Sequence, residues 1–252
     1  MVPVTTKKLH KPKGWQFGLF QSKDGSIIRY GCVQPKGQSK GTVVLTGGYG
    51  RHIEYYYETI NNWRDRGYTV YAMDWDGQGG SSRDDPFTPQ KPSGKNFDHH
   101  VDIFHHFVTD IVKPDKDKPA FLCSHSKGGN IMLRYMERHE NGPDYPFTGA
   151  ILAAPMVDIN TYVLPRSGVK RFFQTAYWMG FDDLLPPRKS KMYRDFQKSA
   201  LFNDDDNLDR ARQRVNDYYK QQTQHYEIAY PTAGWLKHTF ESSDNVRQNP
   251  FL

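Results

Sequence analysis

The sequence predicts an α/β chain: a doubly wound, mostly parallel sheet with helices on both faces and a helical cap over one end. Three observations carry this expectation. After an opening hairpin, short apolar runs alternate with helix-like stretches in the order β-α-β-α-β-α-β as far as Pro155, the rhythm of a parallel sheet covered on both sides. Gly47-Gly48, Asp74 and Ser126 each lie at or just past the end of one of those apolar runs, so they fall at strand carboxyl ends, where ligands sit in such sheets. From Met156 to about Gly234 the alternation stops, and aromatics (Phe172, Phe173, Tyr177, Trp178, Phe181) and charges take over.

Composition bounds the rest. Hydrophobic residues at 37% with 14% aromatic supply a real core and exclude wholesale disorder. The net charge of +6 is partly concentrated in Lys7, Lys8, Lys11 and Lys13; that head reads as a solvated or membrane-touching tail, and no nucleic-acid partner is expected. It has no apolar h-region of a signal peptide, and no apolar run reaches membrane-spanning length. Cys32 and Cys123 both fall in predicted strands and read as small buried hydrophobes, not as a disulfide framework. A cytoplasmic protein, at most peripheral to the inner membrane, is the expectation.

The elements follow in order. Trp15–Ser22 and Ser26–Gln34 are β-rich and joined at the turn signal Lys23-Asp24-Gly25. Thr42–Leu45 is a short buried strand that runs into Thr46-Gly47-Gly48-Tyr49-Gly50, where glycines let backbone amides approach a ligand. Ile53, Tyr56, Ile60 and Trp63 recur at helical spacing, and Thr69–Met73 is the next strand. Phe97, Val101, Phe104, Val108 and Ile111 form the clearest amphipathic helix, with His99, His100, His105, His106, Asp98 and Asp102 on its other faces. Asp102 and His106 stand one turn apart and suggest a metal site. No second ligand cluster completes it, so a solvated histidine-rich face is the reading taken, with no metal.

Ala120–Asn130, AFLCSHSKGGN, organises the chain. An apolar strand stops at Ser124-His125-Ser126-Lys127-Gly128-Gly129, and Ile131, Met132, Tyr135 and Met136 mark the helix that follows. Strand, tight turn, helix is the context of a nucleophile elbow, which lifts its serine out at a strained position between small residues. Here those small residues are Ser124 and Gly128. The plain alternative is a glycine-rich turn with an incidental serine. Ser124-His125-Ser126-Lys127 also spells S-x-x-K, a Ser/Lys acyl-transfer signature, but without companion motifs. Gly149–Pro155 closes the series as another buried strand, and Asn207–Gln222 reads as a polar helix inside the cap.

Together, Thr46-Gly47-Gly48, Asp74-Trp75-Asp76-Gly77-Gln78-Gly79-Gly80-Ser81, Ser124–Gly129, Ala154-Pro155-Met156 and Pro231-Thr232-Ala233-Gly234-Trp235-Leu236 resemble the α/β-hydrolase fold, in its lysophospholipase and monoacylglycerol-lipase-like branch. The resemblance runs from about residue 15 to the last residue. It implies a basic tail over 1–14, a hydrolase core over 15–155, a helical cap or lid over 156–234 and a return to the core over 235–252. It makes Ser126 the acyl-accepting nucleophile, with the Gly48 and Lys127 backbone N–H groups as the oxyanion hole. Ester hydrolysis builds negative charge on the carbonyl oxygen, and each prepositioned amide stabilises it by roughly 3–4 kcal/mol. The sequence departs from the family pattern at Thr46 (usually His), Ser124 (usually Gly) and Lys127 (commonly Met). The Lys127 side chain is expected over the pocket mouth, where it would favour anionic head groups.

One departure is larger. The resemblance places the triad acid after the first strand beyond the cap and the histidine after the next, and the sequence stops at Asn249-Pro250-Phe251-Leu252, which reads as the opening of that first strand. The triad Asp and His are therefore expected to be absent from these 252 residues, the last strands to be missing, and Ala150–Ala154 to be left as a bare apolar edge. A serine without a base is a weak nucleophile, so this polypeptide alone is expected to be nearly inactive. His125, His225 and His238 are the substitutes weighed, and none has a partner in a recognisable place.

The function these readings give to the complete protein is carboxylic-ester hydrolysis of a lysophospholipid or monoacylglycerol through an acyl-enzyme. The expected partner is an amphiphilic ester taken from a membrane surface, with no cofactor. The alternatives are a non-catalytic acyl-binding protein of the same fold, or another esterase or peptidase built on it.

Overall fold

The computed structural model describes residues 6–161, 164–184, 214–215, 218–219, 221–222, 226, 228 and 230–248. The expected polar helix over 207–222 falls largely outside them, as do His225 and the four terminal residues read as the opening of a strand.

Strands β1 (Gln16–Gln21) and β2 (Ile27–Val33) form the opening hairpin. Then come β3 (Thr42–Thr46), α1 (Tyr57–Asp65), β4 (Thr69–Met73), α2 (Phe97–His106), β5 (Ala120–His125), α3 (Lys127–His139) and β6 (Gly149–Ala153). Helices α4 (Arg166–Trp178) and α5 (Ala233–Gln248) complete the described elements. The six strands form one sheet in the order β1-β2-β4-β3-β5-β6. β2 meets β4 antiparallel, and β4, β3, β5 and β6 run parallel, so the α/β architecture expected from the alternation is the one found.

The apolar runs read as they do because the central strands are covered on both faces. Val44 and Leu122 point to one side, against Phe104, Phe107, Ile131, Tyr135 and Phe240. Val43, Leu45, Val70 and Ala72 point to the other, against Trp15, Tyr57 and Ile60. β6 differs: it pairs with β5 alone among the described residues, and Ile151 is 49% exposed.

Two expectations for the histidine-rich helix change. The Asn96 side chain caps α2 by accepting the His99 N–H at 2.9 Å, but the α-helix ends at His106 and one π turn, Phe107–Val112, takes over. The face is also not simply solvated, since His100 is buried against Trp75 and Phe97. Asp102 and His106 form no site: Asp102 pairs with Arg138 and His106 with Asp110. No group of metal-ligating side chains occurs among the described residues. Cys32 and Cys123 are free and half-buried.

α5 begins within the Pro231–Leu236 motif, at Ala233, with the Thr232 hydroxyl accepting the Trp235 N–H. It lies on the core through Ser242, whose hydroxyl donates to Asn130 Oδ1 of α3. α4 is joined to it through Phe173 beside Phe240 and through Arg166 and Lys170, both paired with Asp244. None of the helices is long and apolar enough to cross a membrane, among the described residues.

Candidate active site

Ser126 lies between β5 and α3 with φ +52° and ψ −118°, a conformation that costs a non-glycine residue on the order of 1–3 kcal/mol and persists only where its surroundings hold it. The surroundings are visible. Ser126 N–H donates to Ala153 O at 3.1 Å, and Ser126 O accepts from Met156 N–H at 2.9 Å and Asn130 N–H at 3.2 Å. Close approach then requires glycine at 128, because a Cβ there would come within 2.6 Å of Gly47 O and 2.7 Å of Ser124 Oγ. The half-buried Ser126 therefore stands at the head of α3, facing the positive end of the helix dipole.

The two departures at Thr46 and Ser124 turn out to be partners. They sit opposite each other in the β3–β5 register, and their hydroxyls hydrogen-bond at 2.7 Å. A serine in place of glycine thus brings a buried hydroxyl that already has a partner.

The loop after β3 is gripped by the loop after β4. Trp75 Nε1 donates to Gly47 O at 2.8 Å and Gln78 Nε2 to Gly48 O at 2.9 Å. Asp74 accepts from Ile53 N–H at 2.9 Å, from Gly80 N–H at 2.9 Å and from Arg29 Nε at 2.6 Å. Arg29 also makes a bidentate pair with Glu54, 2.8 Å at each oxygen, and His52 Nδ1 stands 2.7 Å from Glu54 Oε2. Burial alone would raise the Glu54 carboxyl, yet hydrogen bonds from His52 and Arg29 hold it down at about 2. For Asp74 burial prevails and lifts the group above the usual carboxylate range despite Arg29.

At the elbow, the Lys127 N–H has no hydrogen-bond partner among the described residues. The Gly48 N–H is engaged by the Tyr56 hydroxyl at 3.0 Å, and the same hydroxyl lies 3.2 Å from His125 Nδ1. Tyr56 thus stands between the Gly48 amide and His125, whose pKa is lowered by burial and by Arg51. Burial pushes the Tyr56 phenol up to about 12, so it stays neutral. Among the described residues no histidine or carboxylate is hydrogen-bonded to Ser126 Oγ.

An elbow serine in this backbone geometry, on this sheet, restricts the fold sharply, and the sequence comparison decides the family. The profile described as serine aminopeptidase, S33, matches residues 37–249. The chain belongs to that family. It is a serine-hydrolase family of α/β-hydrolase fold, as the motifs implied. Among curated proteins, the Schizosaccharomyces pombe protein named "Putative monoglyceride lipase" is 30% identical over 120 residues, which is 46% of this chain and 29% of that protein. A Bacillus coagulans carboxyl esterase solved with glycerol superposes with a TM-score of 0.64 at 17% identity, over 92% of this chain and 73% of the other. A soluble variant of monoglyceride lipase from Saccharomyces cerevisiae, solved with a substrate analogue, gives 0.60 at 16% identity, over 98% and 73%. At these identities the structures speak for the fold.

One expectation for this site is corrected by the structure. The Lys127 side chain is not at a pocket mouth: it is 2% exposed and donates from Nζ to Gln78 Oε1 at 3.0 Å. The S-x-x-K reading fails with it, since Ser124 pairs with Thr46 and not with Lys127. His238 is buried on α5 beside Tyr177 and Glu241, in no hydrogen bond to Ser126. The motifs themselves were visible in the sequence. What sequence reasoning missed is the grip of Trp75 and Gln78 on the glycine loop, and the Tyr56 hydroxyl on the Gly48 amide.

Proposed function

We propose that the protein is a serine carboxylic-ester hydrolase, with Ser126 as the nucleophile that forms an acyl-enzyme. The carrying observation is the held, left-handed conformation of Ser126 beside the open Lys127 amide. The Lys127 N–H, together with the Gly48 N–H once Tyr56 yields it, would bind the oxyanion that forms as the serine attacks. A lysophospholipid or monoacylglycerol is the substrate class proposed. The sequence match to a protein named as a monoglyceride lipase supports it. So do Phe172, Trp178, Met179 and Phe181, which expose apolar surface on and after α4 and suit an amphiphile met at a membrane surface.

A second reading, an acyl-binding protein without catalysis, is favoured by one observation: among the described residues no histidine or carboxylate is hydrogen-bonded to Ser126 Oγ. A fluorophosphonate probe separates the two, because it reports a serine activated by a base. Labelling of the 252-residue chain that disappears in Ser126→Ala supports the hydrolase, and monoolein and lysophosphatidylcholine then test the substrate class. A folded chain that stays unlabelled supports the acyl-binding reading for this polypeptide.

A further inference from the structure

Lys127 presents a puzzle that the proposed chemistry leaves unsolved. Its backbone amide faces the site, while its side chain runs the other way into the protein and ends beside Gln78, itself 2% exposed. An unbranched apolar side chain would fill the same space without the cost of burying an amine. The surroundings do little to repay that cost. The Nζ has one neutral acceptor, Gln78 Oε1, and the face of the Trp75 ring at 5.9 Å.

The amine does one thing that an apolar chain would not. Gln78 Nε2 points at two carbonyls, Gly48 O at 2.9 Å and Arg51 O at 3.4 Å. A carbonyl only accepts, so this orientation of the carboxamide is fixed, and Oε1 must find a donor inside the protein. Lys127 Nζ is that donor. The geometry points to a strap: the Lys127 amine and the Gln78 carboxamide tie the residue after the nucleophile to the glycine loop opposite, setting the distance between the two amides that would share the oxyanion. The inference rests on the reading of Gly48 and Lys127 as that pair. In this role Lys127 and Gln78 act through backbone and are positioning residues; their side chains touch no substrate.

The strap is also titratable. Burial brings the Lys127 amine down to about 7, with Asp76 pulling the other way. The charged and titratable groups around it are few. Asp76, on the same loop as Gln78, is itself paired with His99 and Lys95. His100 of α2 is coupled to Lys127 and, more weakly, to His238 of α5. As pH rises through neutrality the amine changes from a charged to a neutral donor, and its hold on Gln78 weakens.

The test reads the strap without requiring turnover. Backbone amide resonances of Gly48 and the side-chain amide of Gln78 are followed by NMR from pH 5.5 to 9.5 in the 252-residue chain, in Lys127→Met and in Gln78→Glu. Gln78→Glu keeps a partner for the lysine but removes the donor to Gly48 O. The expected result is a Gly48 inflection near neutral pH in the parent that is lost in both variants. A Gly48 inflection that survives in Lys127→Met belongs to another group, such as His125, and overturns the strap. One that survives in Gln78→Glu shows coupling through space and also overturns it. If Lys127→Met fails to fold, Gln78→Glu decides alone. In an ester-hydrolysis assay, Lys127→Met should lower kcat about tenfold with KM unchanged, the signature of a small misplacement of catalytic groups. A parent chain that cleaves no ester counts against the proposed function and leaves the amide titration to judge the strap.

Discussion

The carboxyl ends of β3, β4 and β5 and the edge at β6 are built on different principles, although they flank the same serine. In the first region nearly every polar group is matched. Arg29 joins Asp74 and Glu54, Trp75 and Gln78 hold the two glycine carbonyls, and Thr46 meets Ser124. In the second, Ile151 is 49% exposed on an apolar edge strand and Trp178 is 75% exposed on α4. Directional bonds fix atoms to fractions of an ångström, and apolar surface only favours being covered. The contrast teaches where placement matters: the loops around Ser126 are held in place by directional bonds, whereas the β6–α4 side presents apolar surface without them. Substitutions in the two regions should therefore differ in cost by several kcal/mol.

The largest effect is expected at Arg29. Replacing it with leucine leaves Glu54 and Asp74 buried without their cation, and breaking such a network by removing one partner costs about 3–5 kcal/mol. Urea unfolding of Arg29→Leu measures it. A loss below about 1 kcal/mol, the range of an exposed pair, would erase the distinction between the two regions.

Next comes the pH dependence of Lys127. Its folded pKa of about 7 lies below the ordinary lysine value of 10.5. Between those two values the unfolded chain binds a proton that the folded chain does not, so folding stability rises with pH across that window. The slope approaches about 1.4 kcal/mol per pH unit at most. Below pH 7 the folded state carries the full cost of a buried ammonium. Lys127→Met should therefore be the more stable protein at and below neutral pH and should lose most of the rise up to pH 9.5. Denaturant unfolding at several pH values checks both statements, and parallel curves for parent and variant would show that the amine is not held as described. A chain that accepts this cost beside Ser126, the proposed nucleophile, fits the common exchange of stability for function.

The sequence foretold these regions unevenly, and the reasons are physical. β3, β4 and β5 were legible because strands covered on both faces must be apolar throughout, and the elbow was legible because Gly128 has no room for a side chain. The partnership of Thr46 and Ser124 was not, because strand register brings together residues far apart in sequence, and each alone looks like a defect in the motif. Lys127 misled for a different reason. Lysines usually keep the charge in water and bury only the stem, so a fully buried amine is invisible to a rule that works elsewhere. His100 was misplaced similarly, since a histidine on the flank of an amphipathic helix is ordinarily solvated, and here the Trp75 side chain covers it. The Asp74–Ser81 loop was recognisable as a pattern, but its work, holding carbonyls of another loop, depends on three-dimensional proximity alone.

The smallest effect is expected on the edge. Ile151 faces Cys123 across the β5–β6 register and is half exposed, so Ile151→Lys removes few contacts and places a charge on a strand whose outer side, unpaired among the described residues, invites association. Stability by urea unfolding should change by no more than about 0.5 kcal/mol, while light scattering at high protein concentration should show less self-association than the parent. A stability loss above about 2 kcal/mol would mean that Ile151 is covered in solution, in which case the edge is a packed interface and the difference between the two regions narrows. An unchanged tendency to associate would instead move the adhesive surface to α4, where Phe172 and Trp178 are the next residues to replace. The substitution thus discriminates between the two apolar surfaces while leaving the cradle around Ser126 untouched, because β6 holds Ser126 through the backbone carbonyl of Ala153.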